Sequence, residues 1–203
     1  MADPEAVRRL LDSLDDTTFD GLRFRTTILL MLDTGVRAGE VCAMDVGDIA
    51  ADGASVRVWG KGARERTVYL SRDMTEHLRR WVTYRGRAME CARMEDKPVL
   101  FPSLTGARQI SVQVGDLFRS RCKLASITPA VKVHGLRHLW ATNHGRAGTN
   151  AFLLRQLGGK ADMQVVMTYV SEVEGSSVRE ANGPASLVRD IVGRRVPRRQ
   201  GRA

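Results

Sequence analysis

Ser55-Val56-Arg57-Val58-Trp59-Gly60-Lys61-Gly62-Ala63-Arg64-Glu65-Arg66-Thr67-Val68-Tyr69-Leu70 is the stretch on which the fold turns. Polar and apolar residues alternate from Ser55 to Trp59, the period of a half-buried strand. Arg66 to Leu70 reads as a second strand. The segment between them, 60–65, holds two glycines within three residues, so the two strands form an antiparallel hairpin. Everything around it has the helical period instead. Upstream, residues 4–14 place Val7, Leu10, Leu11 and Leu14 three or four apart behind an early Pro4. Residues 22–32 form a second helix, nearly apolar in its later half and therefore central. Thr34-Gly35 breaks it, and residues 36–44 restart a short helix. Downstream, residues 74–93 are helical, with Leu78, Trp81, Val82 and Met89 as anchors. Residues 98–102 are extended between two prolines. Helices follow over 112–124, 134–144, 150–157 and 162–169, punctuated by Gly145, Gly148 and Gly158-Gly159. The expected fold is mainly α with one small antiparallel β-sheet, an α+β arrangement.

Composition narrows the class of partner. The chain has 203 residues, 32 Lys plus Arg against 23 Asp plus Glu, and a net charge of +9. Five of the basic residues are lysine, so arginine carries the excess. Such a balance fits a polyanion such as nucleic acid and disfavours a strongly basic partner. An arginine-biased genome would give the same counts. No apolar run approaches the roughly 20 residues of a membrane span. The first residues lack the basic start and apolar stretch of a signal peptide. Cys42, Cys91 and Cys122 form no CxxC pair, which points away from a disulfide framework or a zinc site. The expectation is a cytoplasmic protein.

Several residues stand where chemistry is done. Arg37 opens the short helix after Thr34-Gly35, with Glu40 three residues on. Read alone, this is a capped helix start with Thr34 as cap and Arg37–Glu40 as a surface pair. Lys61 sits at the hairpin tip between two glycines and reads alone as a solvated turn lysine. His134, Arg137 and His138 share one helical face. A histidine and an arginine so placed suit a phosphate, because guanidinium forms bidentate bonds and imidazole moves a proton. A metal pair at His134 and His138 is the weaker reading, since no third ligand lies nearby in sequence. Lys160 follows Gly158-Gly159, and Tyr169 ends a helical stretch nine residues later.

Together these residues resemble a known family. Thr34-Gly35-Val36-Arg37-Ala38-Gly39-Glu40 resembles the TGxRxxE box of the tyrosine recombinases, the phage integrase family. His134-Gly135-Leu136-Arg137-His138, followed by Ala141-Thr142, looks like that family's HxLRHxxAT box. Gly158-Gly159-Lys160 and the later Met167-Thr168-Tyr169 are similar to its LGH(x)nY ending, with Lys160 where the family has His or Trp. Lys61 matches its hairpin lysine.

The resemblance covers roughly residues 5–192. It implies the tyrosine-recombinase catalytic fold over residues 1–192 and a basic tail over 193–203. About thirty residues precede the first box, which leads to the expectation that the family's N-terminal DNA-clamping domain is absent here. The implied catalytic set is Arg37, Lys61, His134, Arg137, Lys160 and the nucleophile Tyr169. Glu40 and His138 are the expected supports, with a more structural part. Arg64, Arg194, Arg195, Arg198 and Arg199 are the expected DNA contacts. The implied activity is site-specific DNA recombination through a protein–DNA ester, with no cofactor and no metal. The implied partners are double-stranded recombination sites, bound as a homotetramer. Leu187, Val188, Ile191 and Val192 would dock on a neighbouring protomer or cover their own core. Two other readings remain at this point: an inactive DNA-binding regulator derived from the family, and strand relaxation of the type IB topoisomerase kind.

Overall fold

Thr18 starts the helix around which the others pack: its Oγ1 accepts the Gly21 N–H at 3.1 Å. The computed structural model describes residues 2–60, 62, 64–91, 98–149 and 151–158. In chain order the helices are α1 (Pro4–Asp12), α2 (Phe19–Thr34), α3 (Ala38–Ala43), α4 (Arg72–Cys91), α5 (Ser111–Leu124), α6 (Val133–Arg146) and α7 (Ala151–Gly158). The strands β1 (Ser55–Gly60) and β2 (Arg64–Tyr69) lie between α3 and α4. The expected mainly helical architecture with one small sheet is therefore present. The expected helix over 162–169, the docking residues Leu187, Val188, Ile191 and Val192, and the tail lie outside the described residues.

α2 is longer than the apolar run alone suggested, by about a turn at its N-terminus. The Thr18 cap and Asp20 in the first turn stabilise that end. At the other end Gly35 adopts φ +66° and returns its N–H to the Met31 carbonyl at 3.0 Å. Leu22, Phe24, Ile28, Leu30 and Met31 are all buried, and α2 packs against both α4 and α6. Opposite it, α4 turns in Met74, Leu78, Trp81, Arg85 and Met89, spaced three or four apart. Trp81 is fully buried and stacks on Phe101, with ring centroids 6.0 Å apart.

The extended run after Pro98 explains three side chains at once. Its backbone forms only isolated bridges, Val99 with Asp45 and Pro102 with Arg108. Carbonyls left over in a buried segment need donors. Arg85 Nε donates to the Val99 carbonyl at 2.8 Å, Trp81 Nε1 to Leu100 at 3.0 Å, and Arg23 Nη1 to Pro102 at 2.5 Å. Arg23 and Arg85 are buried for this reason.

In the hairpin, Val56 pairs with Val68 and Val58 with Arg66. These four residues share one face, and the three valines are buried in the core. The other face presents Arg57, Trp59, Thr67 and Tyr69. Arg57 bonds Asp48 through Nε and Nη2, both at 3.1 Å, and lies 5.8 Å from the Trp59 ring centroid. The stem is thereby tied to the 3-10 turn Val46–Asp48.

Candidate active site

Arg37 occupies the N-cap position of α3, and Glu40 is the residue that closes the cap. The Arg37 N–H donates to Glu40 Oε2 at 2.8 Å, and Arg37 Nη1 donates to Oε1 at 3.0 Å. The sequence-based capping assignment needs correction on two points. Thr34 belongs to the last turn of α2, where its hydroxyl donates to the Leu30 carbonyl at 2.6 Å. Glu40 is no surface partner: it is 5% exposed, whereas the Arg37 side chain remains 34% exposed.

Glu40 has a second arginine. Arg66, on the inward face of β2, bonds both carboxylate oxygens, Nη1 to Oε1 at 2.7 Å and Nη2 to Oε2 at 2.8 Å. Burial pushes the Glu40 carboxyl up, but the Arg66 guanidinium, the Arg37 N–H and the two positive charges outweigh it. The group is held below the ordinary glutamate value.

Arg137 lies one turn beyond His134 on α6 and is 2% exposed. Its Nη1 donates to the Gly35 carbonyl, and its Nη2 donates to the Gly158 carbonyl at 2.6 Å. Gly35 ends α2, two residues before Arg37. Gly158 ends α7, at the start of the Gly-Gly-Lys run. One guanidinium therefore joins the turn bearing Arg37, the helix bearing His134 and the end of α7.

Trp140 fills the space beneath this junction. The Arg137 guanidinium carbon lies 5.7 Å from its ring centroid. A Cβ at Gly35 would fall 2.4 Å from two ring atoms of Trp140, and one at Gly158 would fall 3.0 Å from Arg137 Nη2. Glycine at 35 is thus a requirement of close approach, while at 158 an added Cβ asks the Arg137 side chain to give by a few tenths of an ångström. At Gly35 the positive φ adds a second reason.

His134 is exposed, and its ring meets His138 edge to face at 4.7 Å between centroids. Among the described residues no three His, Cys, Asp or Glu side chains converge as a metal site would require. Arg64 opens β2 opposite Gly60, and its side chain lies outside the described residues. So do Lys61, Lys160, Tyr169, Arg194, Arg195, Arg198 and Arg199. The structure brings Arg37, Arg137 and Glu40 into one hydrogen-bonded neighbourhood and puts His134 on the same helix as Arg137. Two guanidiniums, Arg37 and Arg66, share the Glu40 carboxylate, and Arg137 is bonded to the Gly35 carbonyl two residues before Arg37, so arginine charge exceeds the one carboxylate and suits a phosphate.

Two residues of this neighbourhood were missed in the sequence, Arg66 and Trp140. Arg66 is in phase with Val68 along β2, and an arginine on a buried face requires an acceptor. Trp140 follows Arg137 at the i+3 position of α6.

Residues 1–174 match the family model described as the phage integrase family. The chain is 28% identical over 166 residues to "Tyrosine recombinase XerC" of Myxococcus xanthus, covering 81% of this chain and 55% of that protein. The fold is that of the crystal structure of XerA recombinase, with a TM-score of 0.68 at 23% identity over 90% of this chain and 62% of that one. It is also that of XerH site-specific recombinase bound to difH substrate, with a TM-score of 0.70 at 19% identity over 89% of this chain and 52% of that one. The chain spans about half the length of the curated relatives it matches. No described helix is long and apolar enough to cross a membrane.

Proposed function

Because the chain belongs to the phage integrase family, we propose that it is the catalytic part of a site-specific recombinase that cuts and rejoins duplex DNA through a 3′-phosphotyrosyl intermediate. The observation that carries this reading is the pair of hydrogen bonds from Arg137 to Gly35 and Gly158. They join the turn of the first box, 102 residues away in the chain, and Gly158, 21 residues away where the third box begins, to the helix of the second.

The chemistry follows from the residue types. The Tyr169 Oη attacks the scissile phosphorus, and the P–O5′ bond breaks. The 3′-phosphate is left on the tyrosine, and the free 5′-hydroxyl leaves. Dividing the displacement this way conserves the ester bond for rejoining, so no nucleotide cofactor is required. Charge accumulates on the non-bridging oxygens in the pentavalent transition state. Arg37 and Arg137 meet that charge, because guanidinium stays protonated and presents a fixed fork of donors. A phenol of pKa about 10 is a poor nucleophile at neutral pH, and His134 assists removal of its proton. Lys61 protonates the leaving 5′-oxygen, and Lys160 donates to a phosphate oxygen in place of the family's His or Trp.

The partner is a double-stranded recombination site, on which four copies assemble. Residues 1–192 form the catalytic domain. Arg64 and the arginines of residues 193–203 add phosphate contacts whose affinity falls with salt. The protein acts in the cytoplasm, on the nucleoid.

The test uses a nicked duplex carrying the sequence that the chain selects from a random pool. A species that resists SDS, is insensitive to chelator and is absent with Tyr169→Phe is the expected result. Binding to the same duplex without any adduct would leave a DNA-binding regulator. Relaxation of supercoiled DNA of any sequence would indicate a topoisomerase instead.

A further inference from the structure

Arg66 takes no part in the reaction as described above, yet it is bonded to the residue that holds Arg37. We propose that Arg66 is a positioning residue for strand cleavage: by neutralising Glu40, it leaves the charge of Arg37 to the scissile phosphate. The inference rests on the recombinase reading.

Both oxygens of Glu40 are shared between the two arginines. Oε1 accepts from Arg37 Nη1 at 3.0 Å and from Arg66 Nη1 at 2.7 Å. Oε2 accepts from the Arg37 N–H at 2.8 Å and from Arg66 Nη2 at 2.8 Å. Each oxygen thus holds one bond from each arginine. The Arg66 pair is the shorter on average and has the parallel fork geometry that makes bidentate pairs strong. Glu40 and Arg66 are both largely buried, at 5% and 15% exposure of their side chains, so their attraction is little screened.

Consider the site with Arg66 removed. A buried carboxylate without its main counter-ion is costly. It can recover by drawing the Arg37 guanidinium fully onto itself, which makes a neutral pair and takes Arg37 from the phosphate. It can also recover by taking up a proton, which weakens the cap that sets the Arg37 backbone. Either way Arg37 serves the transition state less well. With Arg66 present, the carboxylate is already neutralised and its bond to Arg37 only orients. The same contact fixes β2 to the start of α3, so the hairpin stem keeps its place against the turn bearing Arg37. A lysine at position 66 restores the charge but not the fork, because an ammonium is a point donor.

The experiment measures single-turnover cleavage of the nicked duplex, its equilibrium binding, and the thermal midpoint of the free protein. The variants are Arg66→Met, Arg66→Lys, Glu40→Gln and the Arg66→Met/Glu40→Gln double. Arg66→Met cleaves on the order of 10²-fold more slowly than wild type, with DNA affinity changed by less than about threefold. Arg66→Lys falls between the two, and it carries the test if Arg66→Met does not fold. The double variant cleaves no more slowly than Arg66→Met, because the carboxylate that captures Arg37 is gone. A bridging 5′-phosphorothiolate, whose thiolate leaves without a proton, gives Arg66→Met no selective relief.

A full cleavage rate in Arg66→Met overturns the proposal, as do losses in the double variant that multiply. Selective relief by the sulfur leaving group overturns it too, by placing Arg66 with the leaving-group acid. If wild type itself forms no adduct, the recombinase reading fails first and this inference with it. If wild type cleaves and Arg66→Met equals it, only the inference fails.

Discussion

Replacing Gly35 by alanine tests the junction beneath Arg137 most severely. Two costs arise at once. Gly35 sits at φ +66°, and holding a Cβ-bearing residue there costs about 1 kcal/mol. The new Cβ would also lie 2.4 Å from Trp140 Cδ2 and Cε3, and 2.8 Å from Cε2. Carbon atoms prefer roughly 3.5–4.0 Å, so the indole must retreat by more than about 1 Å. It cannot do so freely, because Gly158 lies close to the same ring and Ala141 and Leu154 pack with it. Overpacking of this kind costs about 1–3 kcal/mol. The sum is about 2–4 kcal/mol, against a total stability of about 5–15 kcal/mol for an ordinary domain.

Urea denaturation is the assay. With a slope of about 2 kcal/mol per molar, the midpoint of Gly35→Ala falls by about 1–2 M. The two costs separate in a cycle with Trp140→Leu. In the leucine background the steric part disappears, and Gly35→Ala costs only the backbone part of about 1 kcal/mol. A loss below about 0.5 kcal/mol in the wild-type background would refute the packing argument. So would the same loss in both backgrounds.

Two further predictions concern Glu40 and the cysteines. Glu40 is held below the ordinary glutamate value, so its stabilisation is complete above the unfolded pKa of about 4.3 and fades as pH falls through the folded value. Glu40→Gln therefore loses about 3 kcal/mol at pH 7 and shows a flatter acid limb in urea titrations from pH 7 to 3. An acid limb parallel to wild type would argue against the buried ion pair. Among the cysteines, Cys42 and Cys122 are buried and burial pushes the Cys42 thiol up, whereas Cys91 is exposed at the end of α4. A thiol reagent should label one equivalent per native chain quickly, and Cys91→Ser should abolish that fast phase.

Much of the fold was legible because each element has its own period. The alternation in Ser55–Trp59 could not be mistaken for a helix, and the spacing of Leu78, Trp81, Val82 and Met89 could not be mistaken for a strand. The reach of α2 was less legible, since it depends on Thr18 at one end and Thr34 hydrogen-bonding backward at the other. Arginines misled most. Arg23, Arg66, Arg85 and Arg137 are largely buried, each paired with a carbonyl or carboxylate far away in the chain. Periodicity does not reveal such partners. Arg37 and Arg137 stood out only because the surrounding motif singled them out. Arg66 lay in no such motif, and its one clue was its phase along β2. Gly35 was legible as a helix break, while its contact with Trp140 needed the tertiary structure.

The joining of Tyr169 to a DNA 3′-phosphate is the step on which the recombinase reading stands. Its most direct test is peptide mapping by mass spectrometry of the SDS-resistant species after nuclease and protease digestion. The mass of a 3′-linked nucleotide is predicted on the peptide containing Tyr169, with fragmentation placing it on the phenolic oxygen. A nucleotide mass on any other residue, or an adduct that persists in Tyr169→Phe, would contradict the account.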